Sequence, residues 1–235
     1  MCLRNKSLLL VVLVFILFMG AMEVNAMDTG FETKPLSAEE KNAFIANSNI
    51  QLLDKEPTPR PIECFDVNDN HLIAIGQNTT NLKTICVYSN EGAFQYGYTF
   101  NCRGSFGLEW DGDNINIYFV RGDVVASVTP NGEVLEVCDV PNTTENNTYI
   151  NHAIHSTQRI VDDTVYSIRN DIGLLKFFSS SYSKLVVTDA GGGETIIYDV
   201  SAKQLAKTIA ILFGVALFVC IVIFSVAKQF PKFRA

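Results

Sequence analysis

From Ile62 onward, short runs of Val, Ile, Tyr and Phe alternate with polar positions and stop at Asn, Asp or Gly, the period-two rhythm of half-buried strands. Residues 71–75, 84–88 and 94–100 are the first three predicted strands, with Ser89-Asn-Glu-Gly92 as the turn between the last two. The rhythm then recurs. Trp110-Asp-Gly-Asp-Asn-Ile-Asn-Ile-Tyr118 matches Val67-Asn-Asp-Asn-His-Leu-Ile-Ala-Ile75 at a spacing of 43 residues. Val125-Ala-Ser-Val-Thr-Pro-Asn-Gly-Glu-Val134 matches Ile85-Cys-Val-Tyr-Ser-Asn-Glu-Gly-Ala-Phe94 at a spacing of 40. A looser third copy covers 161–168 and 185–200, with Gly191-Gly-Gly193 as its hairpin tip. Each copy puts an Asn/Asp turn before an apolar strand, because these side chains bond their own backbone and end a strand sharply.

The pattern differs at both ends. Between 27 and 61, Ser37-Ala-Glu-Glu40 reads as a capping box, which predicts a short helix to about Asn47. A brief extended piece at 50–53 and the stiff connector Glu56-Pro-Thr-Pro-Arg-Pro61 follow. At the N-terminus, Arg4 and Lys6 precede an apolar run over 8–22 and the small-residue site Val24-Asn25-Ala26, which predicts a signal peptide over 1–26. Residues 209–227 carry no charge for 19 positions, roughly 28 Å of helix, and predict one transmembrane span. Lys228, Lys232 and Arg234 in the 228–235 tail make that end cytoplasmic by the positive-inside tendency. The expectation is a single-pass protein of the cell membrane, N-terminus outside, with its β-domain at 62–200. Ala210 and Gly214 form a small-xxx-small pair, a spacing common by chance in apolar helices, and are read as lipid-facing.

A period near 40 residues with several strands per unit is the signature of propeller blades. The segment from Cys64 to Val140 resembles tandem NHL-type β-propeller repeats. Cys64-Phe-Asp-Val67, the Ile85–Phe94 run and Gly104-Ser-Phe-Gly-Leu-Glu-Trp-Asp-Gly-Asp113 also resemble uncharacterised membrane-tethered bacterial proteins. The resemblance implies an all-β fold and a membrane address, and it brings no activity with it. Three units fall short of the four or more blades of a closed propeller. Two chains then complete one ring, or a partner caps an open arc. Three four-stranded units also suit a β-trefoil, though the recurrence of hairpins at blade spacing favours the propeller-like arc.

Composition narrows the function classes. All but one of the 25 acidic residues lie between 27 and 206, so the exposed part is more acidic than the whole chain at −7. That charge repels phosphate backbones and excludes nucleic acid as a partner. Cys64, Cys86, Cys102 and Cys138 lie outside the two apolar segments that hold Cys2 and Cys220. Two disulfides and four buried thiols are both compatible with that number, and no C-x-x-C marks a redox or zinc site.

Candidate chemistry is thin. His152 and His155 form an H-x-x-H in an Asn- and Thr-rich stretch, 141–158, that reads as a long loop without a third ligand. His71 stands in a turn. Asp66, Asp69, Asp111 and Asp113 fall in corresponding turns of two units, where turn formation explains them better than a cation site. Gly191-Gly-Gly193 lacks the following helix of a phosphate cradle. Asn78, Asn142 and Asn146 begin N-x-Thr sequons and mark surface loops. Trp110, Tyr88, Phe94, Tyr96 and Tyr98 read as core packing, with a sugar platform as the lesser option. No catalytic, cofactor or metal residue is assigned, no cofactor is expected, and the ligand is unknown. The expected function is a binding or sensing module with the membrane, and a protein or a second copy, as partner. The alternatives are a propeller-type hydrolase or lyase with an acidic site, and a structural subunit of an envelope complex.

Overall fold

The computed structural model describes residues 27–78, 82–178 and 181–229, so the signal-peptide reading of 1–26 and the end of the tail, 230–235, lie outside the described residues. Fourteen strands form three antiparallel sheets, accompanied by three α-helices, the last of them apolar. Each sheet is built on a four-stranded meander, and two of them gain a fifth strand from the lead-in. Sheet 1 holds β3 (Ile62–Val67), β4 (Ile73–Asn78), β5 (Lys83–Tyr88) and β6 (Phe94–Phe100). Sheet 2 holds β7 (Phe106–Asp111), β8 (Asn114–Phe119), β9 (Val124–Val128) and β10 (Val134–Asp139). Sheet 3 holds β11 (Gln158–Val161), β12 (Thr164–Arg169), β13 (Lys184–Thr188) and β14 (Glu194–Asp199).

The lead-in is part of this framework. Its strands β1 (Lys34–Pro35) and β2 (Gln51–Leu52) pair with β10 and β6, covering the outer edges of sheets 2 and 1. Between them α1 (Ala38–Ser48) starts at the capping box, where the Glu40 N–H donates to Ser37 Oγ at 3.3 Å and the Ser37 N–H to Glu40 Oε2 at 3.0 Å.

Sheet 1 is the middle layer. One face meets sheet 2 through Ile85, Tyr98, Phe100, Phe106, Leu108 and Ile117. The other meets sheet 3 through Phe65, Ile75, Tyr88, Tyr166, Leu185 and Tyr198. With both faces covered, β5 is buried at every position, and the alternation expected for it gives way to continuous burial. Even Lys83 is buried, its ammonium 3.5 Å from Glu63. The outer face of sheet 2 is covered by the chain itself: Phe31 of the lead-in, with Tyr149, Ile150 and Ile154, packs on Tyr118, Val125 and Cys138. A capping role expected of a partner is thus filled on this face from within.

The long loop read over 141–158 is a correction. Thr143 caps α2 (Thr144–Tyr149), and a π-helical turn, Ile150–Ile154, continues it. Asn146 is no surface sequon: it is buried, and its amide bonds both the N–H and the carbonyl of Glu32 (2.8 and 2.9 Å). The described cysteines are free thiols. Cys64 and Cys86 lie in different core clusters on opposite faces of sheet 1, and Cys138 belongs to a third cluster, which separates them from one another. The barrel closure a trefoil requires is not present among the described strands, which pair within their own sheets apart from one bridge, Ile62 to Tyr182.

Register gives the domain a polarity. Arg169, Lys184 and Asp199 form one row across sheet 3, so the β12–β13 connection and α3 (Ser201–Gln229) leave from the same end. The β11–β12 and β13–β14 hairpins turn at the opposite end. The bridge at Ile62 and the contact of His71 with Asp162 align sheet 1 the same way. Only Val200, itself buried, separates β14 from α3, whose stretch Ser201–Val226 is long and apolar enough to cross a membrane. Gln204 and Thr208 in its first turns are buried, and Gln204 Nε2 donates to the Ser181 carbonyl at 3.0 Å.

At Gly76 sheet 1 packs tightly against Phe106 of sheet 2. A Cβ there falls 2.8 Å from Phe106 Cζ and closer still to Cys64 Sγ. Gly76→Ala is expected to cost about 1–3 kcal/mol through overpacking. In a thermal melt of the detergent-solubilised chain this is a fall of several degrees; an unchanged Tm counts against this packing.

Candidate functional site

The first strands of the three meanders, β3, β7 and β11, each place a charged residue close to the hairpin that follows: Asp66 opposite Ala74, Glu109 opposite Asn116, Arg159 opposite Tyr166. These three corresponding positions converge on one cavity of about 290 Å³, lined also by Tyr149 and His152. The convergence follows from the layering, because the first strand of each sheet lies innermost.

Asp66 links all three sheets. Its Oδ1 accepts from Arg159 Nε at 2.5 Å, and its Oδ2 accepts from the backbone N–H of Trp110 at 2.7 Å. The Arg159 guanidinium also donates to the carbonyls of Ala153 (2.8 Å) and Gln158 (3.0 Å) and lies over the Phe65 ring, 5.4 Å from its centre. Burial pushes the Asp66 carboxyl above its ordinary range, and the Arg159 pair with the Trp110 and Val67 N–H groups draws it part of the way back. Glu109 accepts two short hydrogen bonds, from the Thr29 and Tyr149 hydroxyls. Burial raises its carboxyl as well, against those bonds and one from Asn116. The Tyr149 hydroxyl is raised by burial and by Glu109. The cavity therefore presents one ion pair and a carboxyl whose proton is held more tightly than usual.

The turns expected to hold the acidic residues divide into separate roles. Asp66 is a buried strand residue, which corrects its reading as a turn former. Asp69 and Asp113 do stand in turns and meet across a second cavity of about 290 Å³, with Asn68, Asn70 and Trp110, at the end away from α3. Asp111 receives the N–H of Asp28 at 3.0 Å. His71, read as a solitary turn residue, sits at φ +58° and shares a hydrogen bond with the Tyr166 hydroxyl (2.7 Å) while its other nitrogen lies 3.4 Å from Asp162. It joins sheet 1 to sheet 3.

His152 and His155 do not share a site. His152 lines the cavity of Asp66, Glu109 and Arg159, and His155 lines a larger one of about 600 Å³ near Arg60 and Lys207, at the α3 end. Among the described residues no three His, Cys, Asp or Glu side chains gather in a geometry that holds a metal ion. Tyr88 and Tyr98 are core residues whose hydroxyls donate to Glu56 and to the Thr129 carbonyl. Gly191–Gly193 form the β13–β14 turn, closed by Asp189. Sequence reasoning missed Glu109, Arg159 and Tyr149. The signal available for the first two was their shared place in the repeat. Tyr149 had none. No protein family, curated protein or solved structure matches the chain.

Arg159→Met leaves Asp66 buried without its partner, and a loss of about 3–5 kcal/mol is expected. Adding Asp66→Asn should recover part of it, so a double-mutant cycle on thermal melts gives a coupling well above zero; additive losses count against the pair. Glu109 titrates above its ordinary 4.5 in the folded chain, so its protonation favours folding. Its contribution is complete below that value and declines as pH rises through the folded-state value. Melts between pH 7 and pH 4.5 should therefore show Glu109→Gln lacking the acid-side gain in Tm, relative to the parent, that the parent displays.

Proposed function

We propose that this chain is a single-pass membrane protein that holds a propeller-like β-domain outside the cytoplasm as a binding or sensing module. The observation that carries this reading is the join between domain and span. α3 begins after a single intervening residue, Val200, docks its first turns on the β12–β13 connection through Gln204 and Ser181, and then presents an apolar surface on all sides. A helix apolar all round belongs in lipid. The domain is thereby held at the bilayer with a fixed end facing away. That end carries the Asn/Asp turns and the cavity between Asp69, Asp113 and Trp110, which makes it the face open to a ligand or protein. The three meanders, with innermost strands converging on one polar cluster, support the propeller-like description, and the lead-in and α2 stand where further blades would be.

The outward orientation draws on the signal-peptide reading and the basic tail. A further detail agrees with it. The Met27 N–H donates to Glu136 at 2.9 Å, a seat suited to the α-ammonium that cleavage after Ala26 would leave. The domain's closeness to the bilayer favours lateral partners, a membrane protein or a second copy.

A second reading, an acidic hydrolase or lyase, is favoured by the two raised carboxyls facing one cavity. Its reacting groups would be Asp66 and Glu109. Under it, Glu109→Gln abolishes a turnover found by substrate screening.

Two measurements test the main reading together. Protease added to intact cells should remove the β-domain and spare an epitope placed after Ala235; loss of the epitope with the domain protected reverses the orientation. A photo-crosslinker at position 113 should capture a discrete species that the same group at 145, on α2, does not. Equal labelling from both positions removes the far face as the binding surface.

A further inference from the structure

We propose that the 3₁₀-helix between β12 and β13 is a second membrane contact, an apolar wedge seated at the boundary between headgroups and acyl chains beside the span. This rests on the reading that α3 crosses the bilayer.

The register of sheet 3 begins the argument. Arg169, Lys184 and Asp199 share one row, so the chain leaving β12 and the chain entering α3 emerge side by side. The first carries the 3₁₀-helix Gly173–Phe178, which lies against α3. Its exposed residues have the wrong chemistry for water. Leu174 is 85% exposed and Phe177 80%, more than the other large apolar residues outside α3 among the described residues. Lys176 stands between them with its ammonium 5.6 Å from the Phe177 ring centre. An aromatic and a leucine flanking a lysine is a composition suited to an interfacial anchor, which buries apolar area while the long lysine can lift its ammonium to the phosphates.

The position along α3 agrees. Ser201–Val226 is 26 residues, about 39 Å of helix, against a hydrocarbon core of about 30 Å. Its first two turns therefore lie among the headgroups. They carry Lys203 and Lys207, both exposed and one turn apart. A segment held against those turns is at the same depth. The occupant of the Leu174–Phe177 surface is accordingly lipid, continuous with the lipid around α3.

Trp110 is the chain's one tryptophan and lies in the domain at the far cavity, so added indoles can be read against it. Full-length Phe177→Trp and Phe218→Trp are reconstituted in vesicles containing lipid brominated either near the headgroup end or near the chain terminus. The proposal expects Phe177→Trp to lose most of its added emission to the shallow bromines, and Phe218→Trp to the deep ones, with Trp110 emission unchanged. Quenching of Phe218→Trp without quenching of Phe177→Trp overturns the wedge and leaves the span standing. Quenching of neither overturns the span reading, and the wedge with it.

Discussion

One carboxylate holds the inner strands of three sheets together. Asp66 reaches from β3 to the guanidinium of Arg159 on β11 and to the backbone of Trp110 on β7. Apolar contact alone holds layers together without fixing how they slide, because burial of area has no direction. An ion pair at 2.5 Å and a bond to a strand N–H do fix it. The arrangement carries a desolvation cost, visible in the raised Asp66 carboxyl, and it is tolerated because every charge in it has a partner. Glu109, at the corresponding place in sheet 2, is spared a charged neighbour in contact and is held by two hydroxyls instead.

Much of this fold could be read along the chain, for a local reason. Strand rhythm, the turns at Gly92, Gly112 and Gly192, the Ser37–Glu40 box and the charge-free run after Thr208 are all written within a few residues of one another. What escaped depends on distance. Asp66 looks like another turn-forming aspartate until Arg159, 93 positions later, is seen beside it. His71 looks solitary because Tyr166 is 95 positions away. The Thr144–Tyr149 helix was hidden by Asn and Thr, poor helix formers whose low propensity is offset here by packing against Phe31 and Tyr118. The burial of Asn146 follows from the same docking. The period-two rhythm also misleads at β5, which is buried at every position, Lys83 included.

The two ends of the domain differ chemically as well as topologically. Asp69, Asp113, Asp162, Asp163 and Asp189 occupy the hairpin end, whereas Lys176, Lys203 and Lys207 lie by α3. Bilayers with anionic lipid attract the second group and repel the first. With α3 in the bilayer, as proposed, charge and anchorage orient the domain in the same sense. Lys184, between Asp171 (2.6 Å) and Asp199 (3.6 Å), offsets one of the two acidic charges at the near end.

The direct passage from β14 into α3 also has a mechanical meaning. With α3 in the bilayer, as proposed, load along it passes through Val200 straight into β14, where the pairing with β13 from Asp199 to Glu194 receives it. With no slack linker to take up extension, lateral drag or tension on the helix is delivered undiminished to the row at Lys184 and on to the packed core behind Leu185 and Tyr198. The domain and its anchor respond to force as one body.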